Sequence, residues 1–122
     1  MNGSVSPLEV AASLTELWSP RVIGELDDNY IKAVKIQGEF PWHTHDGEDE
    51  LFYVLQGSLV LEFEDLTLHL QAGELFVVPK GVLHRPVAVE ECLVMLIEKK
   101  STLHTGGVDS AMTKSIDEQL RR

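Results

Sequence analysis

The stretch PWHTHDGEDELFYVLQG, Pro41 to Gly57, decides how this chain is read. On extended backbone, residues two apart share a face, so His43 and His45 point one way and Thr44 the other. Asp46-Gly47 supports a reversal, after which Glu50 lies on a returning strand at the parity of Phe52 and Val54. Downstream, Pro79-Lys80-Gly81 makes a second turn ahead of a strand that starts near His84. Three imidazoles and one carboxylate are thereby expected to converge from adjacent hairpins. Such a mixed nitrogen and oxygen set suits a divalent first-row metal.

Working outward, the texture from Tyr30 onward is that of short runs rich in Val, Ile, Leu and Phe between turn residues. Strands are expected near 30–37, 51–56, 58–64, 66–70, 74–79, 82–89 and 92–99. In SLVLEFED, Leu59, Leu61 and Phe63 face one way and Glu62 and Glu64 the other; LTLHL alternates likewise. Many short strands at this spacing predict an antiparallel sandwich or barrel. Before them, Ser6-Pro7-Leu8-Glu9 is a helix start: Ser6 caps, Pro7 suits the first position and Glu9 completes a capping box. Val5 and Val10 are placed to staple it, Val10, Leu14 and Leu17 form one apolar stripe, and Trp18 with Ser19-Pro20 ends it. After Lys100 the chain turns polar, with a short terminal helix expected within SAMTKSIDEQLRR. The expected organisation is a helical arm over 1–28, a β-barrel over 29–100, and a loop and helix over 101–122 that pack on the barrel or on a partner.

The 122 residues suffice for one domain, and 43% hydrophobic with 25% charged residues indicates a globular chain able to bury a core without disulfides or metal. The net charge of −10, from 20 acidic and 10 basic residues, argues against nucleic acid or anionic lipid as partners. A small anionic ligand stays compatible with that charge, because a bound cation inverts the potential inside a pocket. Cys92 is the one cysteine, so no intrachain disulfide forms; it reads as a small buried strand residue. With no basic-then-apolar start and no apolar stretch near the length of a membrane span, the expected location is the cytoplasm.

Two spaced motifs resemble those of the cupins, over about Tyr30 to Lys99. The family's first motif runs G, several residues, H-x-H, three or four residues, E, six residues, G; here stand Gly38, His43-Thr44-His45, Glu50 and Gly57. Its second runs G, five residues, P-x-G, two residues, H, three residues, N; here stand Gly73, Pro79-Lys80-Gly81 and His84, with Ala88 in place of the Asn. Alone, the His-x-His pair reads equally well as surface histidine; joined to the second motif it reads as metal-binding. The resemblance implies a single all-β, double-stranded β-helix, or jelly roll. It implies metal ligands His43, His45, Glu50 and His84, and a Glu50 that loosens from the ion to serve as a catalytic base. Spacing from Gly57 selects Glu50 over Glu48 as the ligand. His69 and His104 read as surface residues, Tyr53 as outward-facing, and Phe40, Trp42, Phe52, Phe76 and Met95 as core.

One divalent transition metal per chain is therefore expected, whether Fe, Mn, Ni or Zn. The function it implies is a small metalloenzyme that acts on a chelating sugar, enediol or oxo or hydroxy acid as dioxygenase, isomerase or lyase. A non-catalytic binding module for a sugar-like molecule is the alternative, and a metal-stiffened interaction domain the third reading. A homodimer is expected, since barrel edges and the N-terminal helix need cover.

Overall fold

The computed structural model describes residues 3–101 and 115–121. Helix α1 (Pro7–Ser13) leads into strands β1 (Arg21–Leu26), β2 (Asn29–Glu39), β3 (Glu50–Gln56), β4 (Ser58–Phe63), β5 (Thr67–Gln71), β6 (Leu75–Val78) and β7 (His84–Lys99), and helix α2 is Ile116–Arg121. All strand pairings are antiparallel. The architecture is the expected all-β jelly roll with a short helix at each end.

Strand β7 organises the barrel. Its first half pairs with β4, from Phe63↔His84 to Val60↔Val87, and its second half pairs with β3, from Gln56↔Leu93 to Glu50↔Glu98. Strand β2 runs beside both halves, with a register shift between Ile36 and Gly38 where it passes the bend. The expectation of two strands at 82–89 and 92–99 is thus corrected to one strand of 16 residues. Val89, Glu90 and Glu91 are exposed at its bend, and this polar break is what the sequence showed as a gap. Among the described residues, strand β6 pairs with β3 alone and β1 with β2 alone, so both lie at sheet edges.

The interior is apolar where β2, β3, β4 and β7 face one another. Val34, Ile36, Phe52, Val54, Leu59, Leu61, Val94 and Leu96 belong to one buried cluster. Leu59 and Leu61 are fully buried, each worth about 2 kcal/mol in apolar transfer. A second, smaller cluster joins Ala11 of α1 to Ala33 and Leu93 on the outside of the sheet.

The N-terminal segment departs from expectation. Ser6 does cap α1, accepting from the Glu9 amide at 3.2 Å, but the helix ends at Ser13, where Leu14 turns extended (ψ 139). Lys35 Nζ donates to the Ala12 carbonyl at 3.0 Å and caps the truncated end. Leu14 is buried while Leu17 and Val5 are exposed, so neither the long stripe nor the staple forms as read. The segment expected as a helical arm also holds β1, which its mixed polarity concealed. Of the large apolar residues read as core, Phe40 and Phe52 are buried and Phe76 and Met95 half-buried. Trp42 is corrected to the surface: it is exposed, with the Arg85 guanidinium 5.2 Å from its ring centre. His69 is exposed as expected, and His104 lies outside the described residues.

Gly57 sits where the corner between β3 and β4 passes the bend of β7. Its φ is +90°, and a Cβ there would stand 2.9 Å from the Glu91 carbonyl oxygen. Gly73 has φ +88° but nothing within 4 Å of such a Cβ. Gly73→Ala should therefore lose about 1 kcal/mol of unfolding free energy from backbone strain alone. Gly57→Ala, adding a backbone collision, should lose at least about twice that in denaturant titration; equal losses would show that the β7 bend yields.

Candidate metal centre

His43 and His45 lie in the segment between β2 and β3, and backbone pairing rather than regular strand fixes them. His43 and His84 exchange both backbone hydrogen bonds at 3.0 Å, and the Gly81 amide donates to the His45 carbonyl at 2.9 Å. The Lys80 amide donates to the Asp49 carboxylate at 2.9 Å, tying the Pro79-Lys80-Gly81 turn to the acidic turn. Glu50 opens β3 and His84 opens β7, so the four side chains meet at one end of the barrel.

Their ligand atoms all lie within 4.8 Å of one another, and all four residues are buried. Glu50 Oε1 stands 3.2 Å from His45 Nε2 and 3.6 Å from His84 Nε2. Atoms held about 2.1 Å from a common ion would stand about 3.0–3.4 Å apart in cis-octahedral or tetrahedral arrangement, so this spacing fits a small cation.

Tautomers sharpen the fit. Nδ1 of His43 lies 2.9 Å from the Pro41 carbonyl and Nδ1 of His84 lies 2.9 Å from the Val82 carbonyl. A carbonyl only accepts, so both Nδ1 atoms carry the proton and both Nε2 atoms of the neutral rings present bare lone pairs. At His84 that lone pair faces a carboxylate oxygen, and His45 Nε2, His84 Nε2 and Glu50 Oε1 are all buried without a hydrogen-bond partner. Acceptor against acceptor in a dry interior is unfavourable unless a proton or a metal ion lies between them. The donor set and its orphaned atoms therefore fit a divalent metal held by His43, His45, Glu50 and His84. Burial and the neighbouring His84 push the His43 pKa down to about 4, which keeps this ring neutral and ready to ligate.

Behind Glu50 lies a feature the sequence reading missed. Glu98 is the cross-strand partner of Glu50, and its carboxylate is 2.8 Å from Lys32 Nζ, close in distance but not aligned as a hydrogen bond. Lys32, Glu50 and Glu98 are 1%, 2% and 1% exposed. Burial raises the Glu98 pKa well above the usual carboxylate range, with the charge of Glu50 adding to it and Lys32 opposing it. Burial pushes Glu50 the same way, but its close approach to His45, His84 and Glu98 outweighs burial and holds Glu50 well below that range. Of the two neighbouring carboxyls, Glu50 is thus the one pushed down and Glu98 the one pushed up. The missed signal was parity: Lys32 shares a face with Val34 and Ile36, and Glu98 with Leu96 and Val94.

The remaining sequence candidates fall elsewhere. Glu48, the fallback ligand, accepts from the Gly47 amide and the Ser101 hydroxyl at 3.3 Å and is outside the cluster. Ala88, in the position of the second motif's Asn, is fully buried opposite Gly38, remote from ligand duty. Burial raises the Cys92 thiol to about 11, so it is an inert core residue. Trp18, read only as a helix stop, is buried, stacks on Phe40 with ring centres 4.8 Å apart, and donates its indole N–H to the Gln37 carbonyl.

Two predictions follow from these buried groups. In metal-free protein the His43 ring should stay neutral at pH 5, read from its Cε1 proton shift, whereas an ordinary histidine titrates near 6.5. Its folded pKa lies below its unfolded one, so its contribution to stability is complete above pH 6.5 and is lost as pH falls towards 4. Lys32→Met alone leaves two carboxyls without their cation and should cost about 3–5 kcal/mol in denaturant unfolding. Lys32→Met combined with Glu98→Leu should recover most of that loss; no recovery would show that the pair acts independently of its partner.

Comparison with known proteins agrees with this architecture. The sequence profile of the cupin domain matches residues 31–98. The uncharacterised protein YdbB of Bacillus subtilis is 33% identical over 94 residues, covering 76% of this chain and 83% of that protein. The crystal structure of a cupin-2 domain protein from Shewanella frigidimarina superposes with a TM-score of 0.76 at 46% identity, covering 79% of this chain and 94% of that one. The crystal structure of protein NMB1881 from Neisseria meningitidis gives a TM-score of 0.73 at 30% identity, over 80% of this chain and 100% of that one. With its fold, both motifs and more than half its length accounted for in this way, the chain belongs to the cupin family, as a small single cupin domain.

Proposed function

We propose that this protein is a mononuclear metal-dependent cupin enzyme acting on a small chelating molecule, with His43, His45, Glu50 and His84 holding one divalent transition ion. The observation that carries this reading is the set of buried, unpartnered lone pairs aimed at one point. Such an ion, when bound, supplies a Lewis acid that polarises an oxygen ligand and acidifies a neighbouring C–H or O–H. Iron, manganese, nickel and zinc all suit this donor set, and the cell's supply selects among them.

The protein's own groups do the rest. Nδ1–H bonds to Pro41 and Val82 orient two of the ligand rings. Glu50 lines the cavity next to the site and is held ionised, so it is the group placed to accept a proton from a bound ligand. The apolar walls exclude water and strengthen every charge interaction at that point. A non-catalytic small-molecule binding module is the second reading. It is favoured by one observation: the side chains lining the cavity offer no acid or base apart from His43 and Glu50. Cytoplasmic location and a homodimer belong to the same proposal. No described helix is long and apolar enough to cross a membrane. Edge strand β6 carries exposed Leu75 and Val77, which supports pairing with a second copy.

Elemental analysis with EPR on untagged protein tests the metal reading. The expected outcome is about one ion per chain, lost in both His84→Ala and Glu50→Ala, as a four-ligand site requires. Protein made with supplied metals that carries none above background would overturn it. Metal without turnover on a panel of enediols, 2-oxo acids and hydroxy-carbonyl compounds would put the binding module first.

A further inference from the structure

A cavity opens inside the barrel from the face of His43 and Glu50. Side chains of Trp18, Val34, Phe40, Phe52, Pro86 and Leu96 make most of its wall, and His43 and Glu50 alone bring ionisable groups to it. The Trp18 indole N–H is already given to the Gln37 carbonyl at 2.9 Å, so it is spent as a donor for a ligand. About 40 Å³ is open to the centres of water-sized spheres. The walls stand a further sphere radius, about 1.4 Å, beyond that space, which leaves room for one small ring or a short carbon chain.

Charge sets the second constraint. Among the described residues, no Lys or Arg lines the cavity. Lys32 is engaged by Glu98 behind Glu50, and Arg85, next in sequence to His84, is turned outward onto Glu39 and Glu62. With Lys32 and Glu98 balancing each other as an ion pair at 2.8 Å, three neutral imidazoles, one carboxylate and a divalent ion would sum to a single positive charge. A monoanion neutralises that site. A dianion leaves a negative charge in an apolar pocket with no cation to meet it, a costly arrangement. A sugar fares no better, because its hydroxyls would be stripped of water against walls that return no hydrogen bonds.

We infer that the ligand is a small monoanionic oxygen chelator with an apolar body, such as a ring or short alkyl chain bearing an enolate, phenolate or carboxylate next to a second oxygen. This rests on the metal reading above and narrows it: sugars, phosphosugars and dicarboxylates are excluded by the walls.

Metal-loaded protein, its stoichiometry measured beforehand, would be titrated calorimetrically with tropolone, oxalate and glucose 6-phosphate. Tropolone is a monoanionic two-oxygen donor on an apolar ring, oxalate a dianion of similar bite, and glucose 6-phosphate a polar dianion. Each affinity is taken relative to that of the same ion free in water, which removes the intrinsic preference of the metal. Tropolone should gain at least about tenfold over oxalate on this scale, with glucose 6-phosphate unbound, as expected when about 1.4 kcal/mol or more separates paired from unpaired charge. Val34→Thr, which keeps shape and adds a hydroxyl, should weaken tropolone about tenfold and leave metal content unchanged. Equal or greater gain by oxalate, or binding of the sugar phosphate, would overturn the ligand class while the metal site stands. Failure to load metal would overturn the site and with it this inference.

Discussion

A carboxylate buried among imidazole lone pairs is the constraint on which the rest of the structure turns. Glu50 is 2% exposed, and one of its imidazole neighbours, His84 Nε2, is a nitrogen that a backbone carbonyl has already committed to acting as an acceptor. Burying an uncompensated charge costs several kcal/mol, so the barrel must supply opposite charge from within or take up a cation. It supplies Lys32, but Glu98 stands closer to that ammonium and absorbs it. The remaining demand falls on the point where the four ligand atoms meet. Structure and electrostatics thus converge there from independent directions, one through backbone pairing and the other through charge balance.

The backbone devices that build this point are shared between strands that lie far apart in sequence. His43 and His84 are bridged through their own main-chain groups, and the turn that delivers His84 is pinned to the acidic turn through Asp49 and Lys80. The bend of β7 allows one strand to pair with both β4 and β3, so the end carrying His84 and the end carrying Glu98 belong to one continuous element. Gly57 permits that bend because a side chain there would meet the Glu91 carbonyl. A glycine remote from the metal therefore sets the relation between two parts of its surroundings.

Much of this was legible because the signals are local. Period-two alternation in β3 and β4 gave the facing of Glu50 and the core leucines, and the two motifs pointed to the four residues that the structure brings together. The failures also have physical causes. Strand β1 contains Gly24 and ends in exposed Glu25 and Leu26, so it lacks an alternating pattern and forms through pairing with β2. The helix stripe through Leu17 ended early because tertiary contacts claimed Leu14 and Trp18, which a propensity argument weighs poorly. Trp42 was read inward by hydrophobicity, yet it covers Arg85 at the surface. Lys32 and Glu98 were missed for the opposite reason: charged residues are placed outside by default, and only their parity with Val34 and Leu96 marked them as interior.

That buried pair bears on chemistry as much as on folding. A lone carboxylate ligand in an apolar barrel would rise in pKa until it was protonated, and a protonated Glu50 could neither hold a cation nor accept a proton. The groups around Glu50 prevent this by holding its pKa down while that of Glu98 rises, and Lys32 stands 2.8 Å from Glu98 to balance its charge. The cost of burying three ionisable groups is offset within the barrel, which leaves the cavity wall free of any charged side chain other than Glu50. The preference we infer for an apolar-bodied monoanion rests on the same arrangement. Lys32, the cation that could have met a second negative charge, stands behind Glu50 against Glu98 and does not line the cavity.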